Sequence, residues 1–201
     1  MNIIAMPVGI YAANCYLVID NTTKESFILD PGGDSDYIIN TVTKHNAKIN
    51  YILLTHGHFD HTGAAVALSE KYKVPIYISK KDDELVVRNE HMFEMQNFSG
   101  KPNMHITEKM TLSLGKATVR CIETPGHTPG GVCYLVEGNL FTGDTLFAGS
   151  IGRTDFYGGD LNTLISNVKN KLFVLEEFIK VFPGHGPEST IGREKKTNPF
   201  F

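Results

Sequence analysis

The sequence predicts an α/β fold of sheets covered by helices, on three observations. Compact apolar runs of strand length come in groups, and amphipathic helical stretches are interspersed among them. Four of the runs end in Gly- or Pro-shaped turns bearing histidine or aspartate. Strands in groups with helices between them favour helix-covered sheets over a purely parallel doubly wound architecture.

In chain order, Ile3 to Val8, Cys15 to Ile19 and Phe27 to Leu29 read as strands, the third running into the turn Asp30-Pro31-Gly32-Gly33. Ser35 to about His45 reads as a helix with Tyr37, Ile38, Thr41 and Val42 as its apolar stripe. Ile49 to Leu54 is an apolar strand, Gly63 to Tyr72 a helix, and Pro75 to Ser79 a strand. The second half is richer in strands: Thr118 to Ile122, Val132 to Val136, Leu140 to Thr142 and Phe178 to Phe182. A helix from Leu161 to Leu172 precedes the last of them.

With 201 residues the chain suffices for one domain, 1–201, and is marginal for two. Its 41% hydrophobic and 20% charged residues are ordinary for a globular protein. A net charge of −3 argues against a mainly electrostatic hold on nucleic acid or an anionic membrane, so neither partner is expected. No run approaches the ~18 apolar residues that span a bilayer, and the first residues read as no signal peptide. Cys15, Cys121 and Cys133 are odd in number and lack paired spacing. That fits thiols in a reducing compartment, with the cytoplasm as default. The oligomeric state is not legible.

The strongest chemical signal is Thr55-His56-Gly57-His58-Phe59-Asp60-His61, directly after an apolar strand. Four metal-capable side chains so close together cannot all enter an apolar core without partners. A divalent cation would hold them, with imidazoles neutral and the carboxylate ionised. The other segments are weaker singly. His127 in Thr124-Pro125-Gly126-His127 reads alone as a solvated loop residue, Asp144 in Gly143-Asp144-Thr145 as a turn aspartate, and His185 in Pro183-Gly184-His185-Gly186 as an exposed imidazole. Together they make a pattern, and seven ligands exceed the three protein ligands of one catalytic zinc. Two metals fit if one carboxylate bridges. Histidine and carboxylate donors suit zinc first and also accommodate iron or manganese.

The His56-x-His58-x-Asp60-His61 run, followed in order by His127, Asp144 and His185, closely resembles the metallo-β-lactamase fold superfamily across nearly the whole chain. Within it, Phe141-Thr142-Gly143-Asp144-Thr145-Leu146-Phe147 and Gly152-Arg153-Thr154-Asp155-Phe156 look like the glyoxalase II (hydroxyacylglutathione hydrolase) branch. The ending, Pro183 to Gly192 and Asn198 to Phe201, looks like that branch's short bacterial members. The resemblance implies a four-layer αββα sandwich with two metals at one edge. His56, His58 and His127 would hold the first metal, Asp60, His61 and His185 the second, and Asp144 would bridge them. It implies hydrolysis of small S-acyl thioesters such as lactoylglutathione by a hydroxide shared between the metals, with Asp60 also orienting it. A thiolate leaving group needs no strong general acid, since a free thiol has a pKa of ~8.5. Arg153 and Tyr157 match the segment beside the thiol-binding region and become candidate substrate contacts, although Arg153 reads equally as a structural partner of Asp155.

There are departures. Gly131 stands where the branch usually has a second histidine after its Pro-Gly-His-Thr turn, and Phe201 ends the chain where longer members continue into a glutathione-binding helical extension. Both lower the expectation of a dedicated glutathione site. The rivals are a mononuclear iron persulfide dioxygenase of the same fold, a superfamily nuclease, and a metal store. A β-lactamase ranks lower, because antibiotic-hydrolysing members usually lack this bridging aspartate pattern. Outside the ligands, Met92, Phe93, Met95, Phe98 and Met104 make an apolar segment, read as a satellite core or as a wall over the substrate. His91 and His105 read as surface residues, and Arg193, Lys195 and Lys196 as a solvated helix face.

Overall fold

The computed structural model describes residues 1–88 and 104–201. Its first sheet runs in spatial order β1 (Asn2–Val8), β2 (Ala13–Ile19), β3 (Glu25–Leu29), β4 (Lys48–Leu53), β5 (Ile76–Ile78) and β6 (Met104–His105). β1 to β3 are antiparallel, and β3 to β6 are parallel. The second sheet contains β7 (Thr111–Leu114), β8 (Ala117–Glu123), β9 (Val132–Val136), β10 (Asn139–Gly143), β13 (Lys180–Pro183) and β14 (Ser189–Thr190), neighbours in that order. A small hairpin of β11 (Leu146–Phe147) and β12 (Ser150–Ile151) stands apart from both sheets. The helices are α1 (Ser35–Lys44), α2 (Phe59–Thr62), α3 (Ala65–Tyr72), α4 (Lys80–Arg88), α5 (Leu161–Asn167) and α6 (Ile191–Thr197).

Alternation along the strands generates the layers. All of β2 is buried, and its residues divide by parity: Cys15, Leu17 and Ile19 enter one cluster, Tyr16 and Val18 another. A strand apolar on both faces must be covered on both. Likewise β10 sends Phe141 inward and Leu140 outward, and β13 sends Phe182 inward and Val181 outward. The inward sets of the two sheets meet as one core around Tyr16, Phe27, Tyr134, Phe141 and Phe182. On the outer faces, Ile38, Val42, Ala65 and Leu68 of α1 and α3 cover the first sheet. Leu164, Val168, Leu172 and Ile191 of α5, the turn after it and α6 cover the second. The architecture is the expected αββα sandwich.

Several element boundaries depart from the sequence expectation for local reasons. Tyr37 is 51% exposed, so the buried stripe of α1 is Ile38 and Val42. Phe178 is 74% exposed in a turn, and the last long strand starts only at Lys180. The helix expected from Gly63 starts two residues later as α3, at Ala65, and a separate single turn, α2, precedes it. The helix expected from Leu161 to Leu172 ends its α part at Asn167 and finishes as a wider π turn, Val168–Leu172. The sequence reading contains no counterpart of α4, and α6 only as the helix face that carries Arg193, Lys195 and Lys196. The predicted basic face is exposed on α6, with Lys196 Nζ paired to Glu177 at 2.6 Å. His105 is half exposed and pairs with Asp83 at 2.7 Å. The Met/Phe segment and His91 lie outside the described residues, except for Met104 on β6. The three cysteines are buried and free. Among the described residues no helix is long and apolar enough to cross a membrane.

At one edge the sheets are tied by hydrogen bonds rather than by apolar packing. Val132 N–H donates to Thr55 O at 2.9 Å, and Asn14 N–H to Gly184 O at 2.7 Å. The Tyr134 hydroxyl donates to Leu54 O at 2.9 Å, and the Tyr16 hydroxyl to Pro183 O at 2.7 Å. These bonds hold one sheet's strand ends against the other's.

Phe141, fully buried between Tyr16 at 5.2 Å and Phe182 at 5.2 Å, keys the inter-sheet core. Phe141→Ala is expected to cost about 3–5 kcal/mol of unfolding free energy, read as a shifted midpoint in urea denaturation. A shift worth under ~1 kcal/mol would mean that this core is not the main support of the sandwich.

Candidate metal centre

The seven predicted residues converge on that hydrogen-bonded edge. Each follows the carboxyl end of a strand: His56 to His61 after β4, His127 after β8, Asp144 after β10 and His185 after β13. β4 carries its residues out through Leu54 and Thr55 into α2, so Asp60 and His61 lie on the first helical turn. Side chains at the carboxyl ends of parallel-running strands face one common crevice. Gly184 shows how tightly the loops close there, since a Cβ on it would stand 2.3 Å from Asp144 Oδ1.

Among the described residues three groups of ligand atoms lie within 4.8 Å internally: His56, His58 and His127; Asp60, His61 and His185; and, behind them, Asp30 with His56 and His61. Asp144 lies between the first two, with Oδ1 3.4 Å from His61 Nε2 and Oδ2 3.6 Å from His127 Nε2. His185 Nε2 stands 3.3 Å from Asp60 Oδ2 and 3.7 Å from Asp144 Oδ2.

Hydrogen bonds behind the rings fix which nitrogen faces the centre. The Thr55 hydroxyl donates its one proton to Asp30 Oδ2 at 2.6 Å, so the 3.0 Å contact from His56 Nδ1 must be a donation to Thr55. His61 Nδ1 donates to Asp30 Oδ2 at 3.0 Å, and His127 Nδ1 to the Arg153 carbonyl at 2.6 Å. All three rings therefore turn Nε2 toward the crevice. His58 differs, facing His127 Nε2 through Nδ1 at 2.9 Å. His56 Nε2, His61 Nε2 and Asp144 Oδ1 are buried without a hydrogen-bond partner. Orphaned atoms of this kind are costly, and a cation satisfies all three. The residues fit a pair of divalent metals.

Electrostatics agree with the geometry. Burial, reinforced by the neighbouring histidines, pushes His56 well below its ordinary value and His58 down to about 4, which keeps both neutral as ligands require. Burial opposes charge on His61, yet Asp144 and Asp30 overcome it and raise that imidazole well above the usual range. Asp144 is driven down despite its own desolvation, His61 being the strongest cause. Asp60 is lowered against desolvation through its contact with His185.

The crevice opens into a cavity of about 550 Å³. Beyond the ligands its described lining is mostly apolar: Tyr11, Phe59, Phe147, Ile151 and Phe156, with Arg153. Tyr11 packs edge-on against Phe59 at 5.4 Å. Arg153 borders the cavity, and its guanidinium makes two 2.7 Å bonds to Asp155 while lying 3.8 Å over the Phe156 ring. Tyr157 is 59% exposed and does not join the cavity lining.

Two carboxylates that support the site escaped the sequence reading. In the sequence Asp30 reads only as a turn residue, and Asp82 carries no distinguishing motif of its own beyond its helix start. Asp82 is fully buried and accepts hydrogen bonds from Gly57, Thr128 and Gly130; burial pushes its carboxyl up, against the pull of those bonds. Their signals were present: an aspartate closing a buried strand, and the pattern Ser79-x-x-Asp82 at a helix start.

An αββα sandwich with a His/Asp cluster at its strand ends defines a class of metal-dependent hydrolases. The chain belongs to the metallo-beta-lactamase superfamily, whose profile matches residues 8–185. It is 38% identical to hydroxyacylglutathione hydrolase GloC of Haemophilus influenzae, over 100% of this chain and 98% of that one. Among solved structures, the B3 metallo-beta-lactamase BLEG-1 superposes with a TM-score of 0.91 at 35% identity, covering 99% of each chain. TTHA1623 in a di-iron-bound form superposes with a TM-score of 0.86 at 31% identity, covering 98% of this chain and 100% of that one.

His61 supplies a pH prediction. Its pKa is raised, so it carries a proton at neutral pH in the metal-free protein and must lose it to ligate. His56 and His58 are lowered and have none to give. Metal affinity is therefore expected to rise with pH through neutrality, with about one proton released per chain from this group. Calorimetric zinc titrations at pH 7 in buffers of different ionisation enthalpy measure that release; its absence would mean that His61 is already neutral.

Proposed function

We propose that this chain is a binuclear thioester hydrolase acting on small S-acyl thioesters. The observation that carries this reading is the pair of ligand groups flanking Asp144 at the floor of an apolar cavity. The whole-length likeness to a hydroxyacylglutathione hydrolase supports the choice of thioester.

In this reading His56, His58 and His127 would hold one cation and Asp60, His61 and His185 the other, with Asp144 placed between the two groups. The cations supply, when bound, a water activated at neutral pH and a Lewis acid for the carbonyl oxygen. The chain's own residues supply position. Asp30 and the Arg153 carbonyl keep the ligand rings aimed, and Asp60 would orient the attacking water besides serving as a ligand. The aromatic rim of Tyr11, Phe59, Phe147 and Phe156 excludes bulk water and packs against the acyl or thiol portion. The thiolate leaves unprotonated, given a thiol pKa of ~8.5. Zinc is first choice on donor chemistry, and the similarity to a chain in a di-iron form keeps iron in the comparison.

A second reading has its own support. The 35% identity to a chain described as a B3 metallo-beta-lactamase makes a β-lactam a rival substrate at the same centre. A persulfide dioxygenase differs from both in consuming oxygen at one iron.

The test is a panel of glutathione, coenzyme A and simple mercaptan thioesters beside a chromogenic cephalosporin, run on metal-analysed protein with oxygen monitored. Two metals per chain, thioester turnover and no oxygen uptake are expected; cephalosporin as the better substrate, or one iron with oxygen uptake, would overturn the reading. Asp144→Ala should lose most turnover and disturb both metals while the fold persists, as judged by elemental analysis and circular dichroism. Near-native turnover with two metals would remove Asp144 from the bridge. Arg153→Ala should raise KM for thiols bearing a carboxylate more than for neutral ones. Because Asp155 already occupies the guanidinium, the effect should stay near tenfold (about 1.4 kcal/mol), and equal effects on both substrate classes would assign Arg153 a structural role alone.

A further inference from the structure

Asp82 does something unusual for its place in a helix. Ser79 caps α4, accepting from Asp82 N–H at 3.3 Å, and an acidic residue three positions after such a cap normally folds back onto the cap's own N–H. The Asp82 carboxylate instead reaches out of its helix. Oδ1 accepts from Gly130 N–H at 2.6 Å, and Oδ2 accepts from Gly57 N–H at 2.9 Å and the Thr128 hydroxyl at 2.7 Å. Gly57 separates His56 from His58, and Thr128 follows His127. The approach is close enough to require glycine at 130, where a Cβ would lie 1.9 Å from Ser79 Oγ and 2.5 Å from Asp82 Oδ1.

We propose that Asp82 is a positioning residue for the first cation cradle, a buried carboxylate that fixes the spacing of His56 and His58 against His127. The proposal rests on the paired-cation reading above. The selectivity follows from where the bonds go. Two of the three reach the His127 loop, and the third reaches Gly57, between His56 and His58 and ahead of the helical turn that carries Asp60 and His61. The second group is held by other means: His61 by Asp30, and the His185 loop by Asn14, whose side chain donates to Pro183 O and Gly186 O. Asparagine at 82 cannot replace the carboxylate, because its amide nitrogen must face either Gly130 N–H or Gly57 N–H, donor against donor. One loop then moves, and His58 and His127 lose their common focus.

The experiment isolates each cradle. Zinc affinity is measured by competition with a chromophoric chelator in two backgrounds, His185→Ala, which leaves the first cradle, and His58→Ala, which leaves the second. Adding Asp82→Asn should weaken zinc about 10- to 100-fold in the first background and leave the second unchanged. The cobalt(II) absorption spectrum should shift in the first background only. Equal weakening in both, or none in the first, would overturn the proposal and make Asp82 a general brace or a bystander. Should Asp82→Asn lose cooperative unfolding, Thr128→Val removes one of the three donors. It should give a smaller loss in the first background alone, with Thr128→Ser restoring affinity, and a loss that serine does not restore would also overturn the proposal. A wild-type chain that binds only one equivalent would sink the binuclear reading separately, because the His185→Ala arm measures the first cradle by itself.

Discussion

The site depends first on one buried carboxylate, Asp30. It is fully buried, sits at the end of β3 with φ 48°, and accepts Thr55 N–H, the Thr55 hydroxyl and His61 Nδ1–H. A left-handed, non-glycine residue in the interior carries strain, and here three hydrogen bonds set at 3.0 Å or less hold it. Those bonds join β3 to the end of β4. They also decide, through Thr55, which nitrogen of His56 carries its proton, and directly that of His61. Without them neither ring would be obliged to present a lone pair at the crevice. One side chain thus links strand pairing, tautomer and ligand direction.

The remaining geometry follows from concentrating polar groups at a single edge. Imidazoles and carboxylates brought together without water cost several kcal/mol apiece when unpaired, and three buried atoms here lack a hydrogen-bond partner. The sandwich tolerates this because apolar packing is placed elsewhere, in three clusters that fill the two outer faces and the space between the sheets. Hydrogen bonds from Val132, Asn14, Tyr16 and Tyr134 then close the edge that apolar side chains cannot. Stability and chemistry occupy different parts of the molecule. Cation binding would add to stability at the edge where these three atoms lack hydrogen-bond partners.

What could be read in the sequence was whatever a residue discloses by itself. The histidine run was legible because four metal-capable groups after an apolar strand have no other inexpensive location, and β2, β4 and β9 were legible as apolar runs of strand length. Parity along those strands was visible, but which face met the other sheet was not, because that choice depends on pairing partners far away in sequence. Asp30 looked like any turn aspartate, since its meaning lies in Thr55 and His61. Asp82 was hidden for the same reason: its donors are 25, 46 and 48 residues away. Phe178 looked like a strand residue by type, and its 74% exposure reflects a turn that composition does not reveal.

Arg153 illustrates how the support of a ligand ring and the lining of the cavity are separated on this scaffold. Its carbonyl accepts the His127 Nδ1 proton at 2.6 Å, while its guanidinium, 3.8 Å over Phe156 and paired with Asp155, borders the cavity. The backbone group belongs to the metal centre; the side chain belongs to the rim. Because any residue at 153 offers the same carbonyl, the rim can change without releasing His127, provided the loop keeps its path. That path is set by Gly152, where a Cβ would fall 1.8 Å from the Asp144 carbonyl. A substitution at 152 would therefore disturb the loop that holds His127, and one at 153 the lining of the cavity. Adjacent positions in the chain answer to different constraints, which is how the rim can vary around a fixed centre.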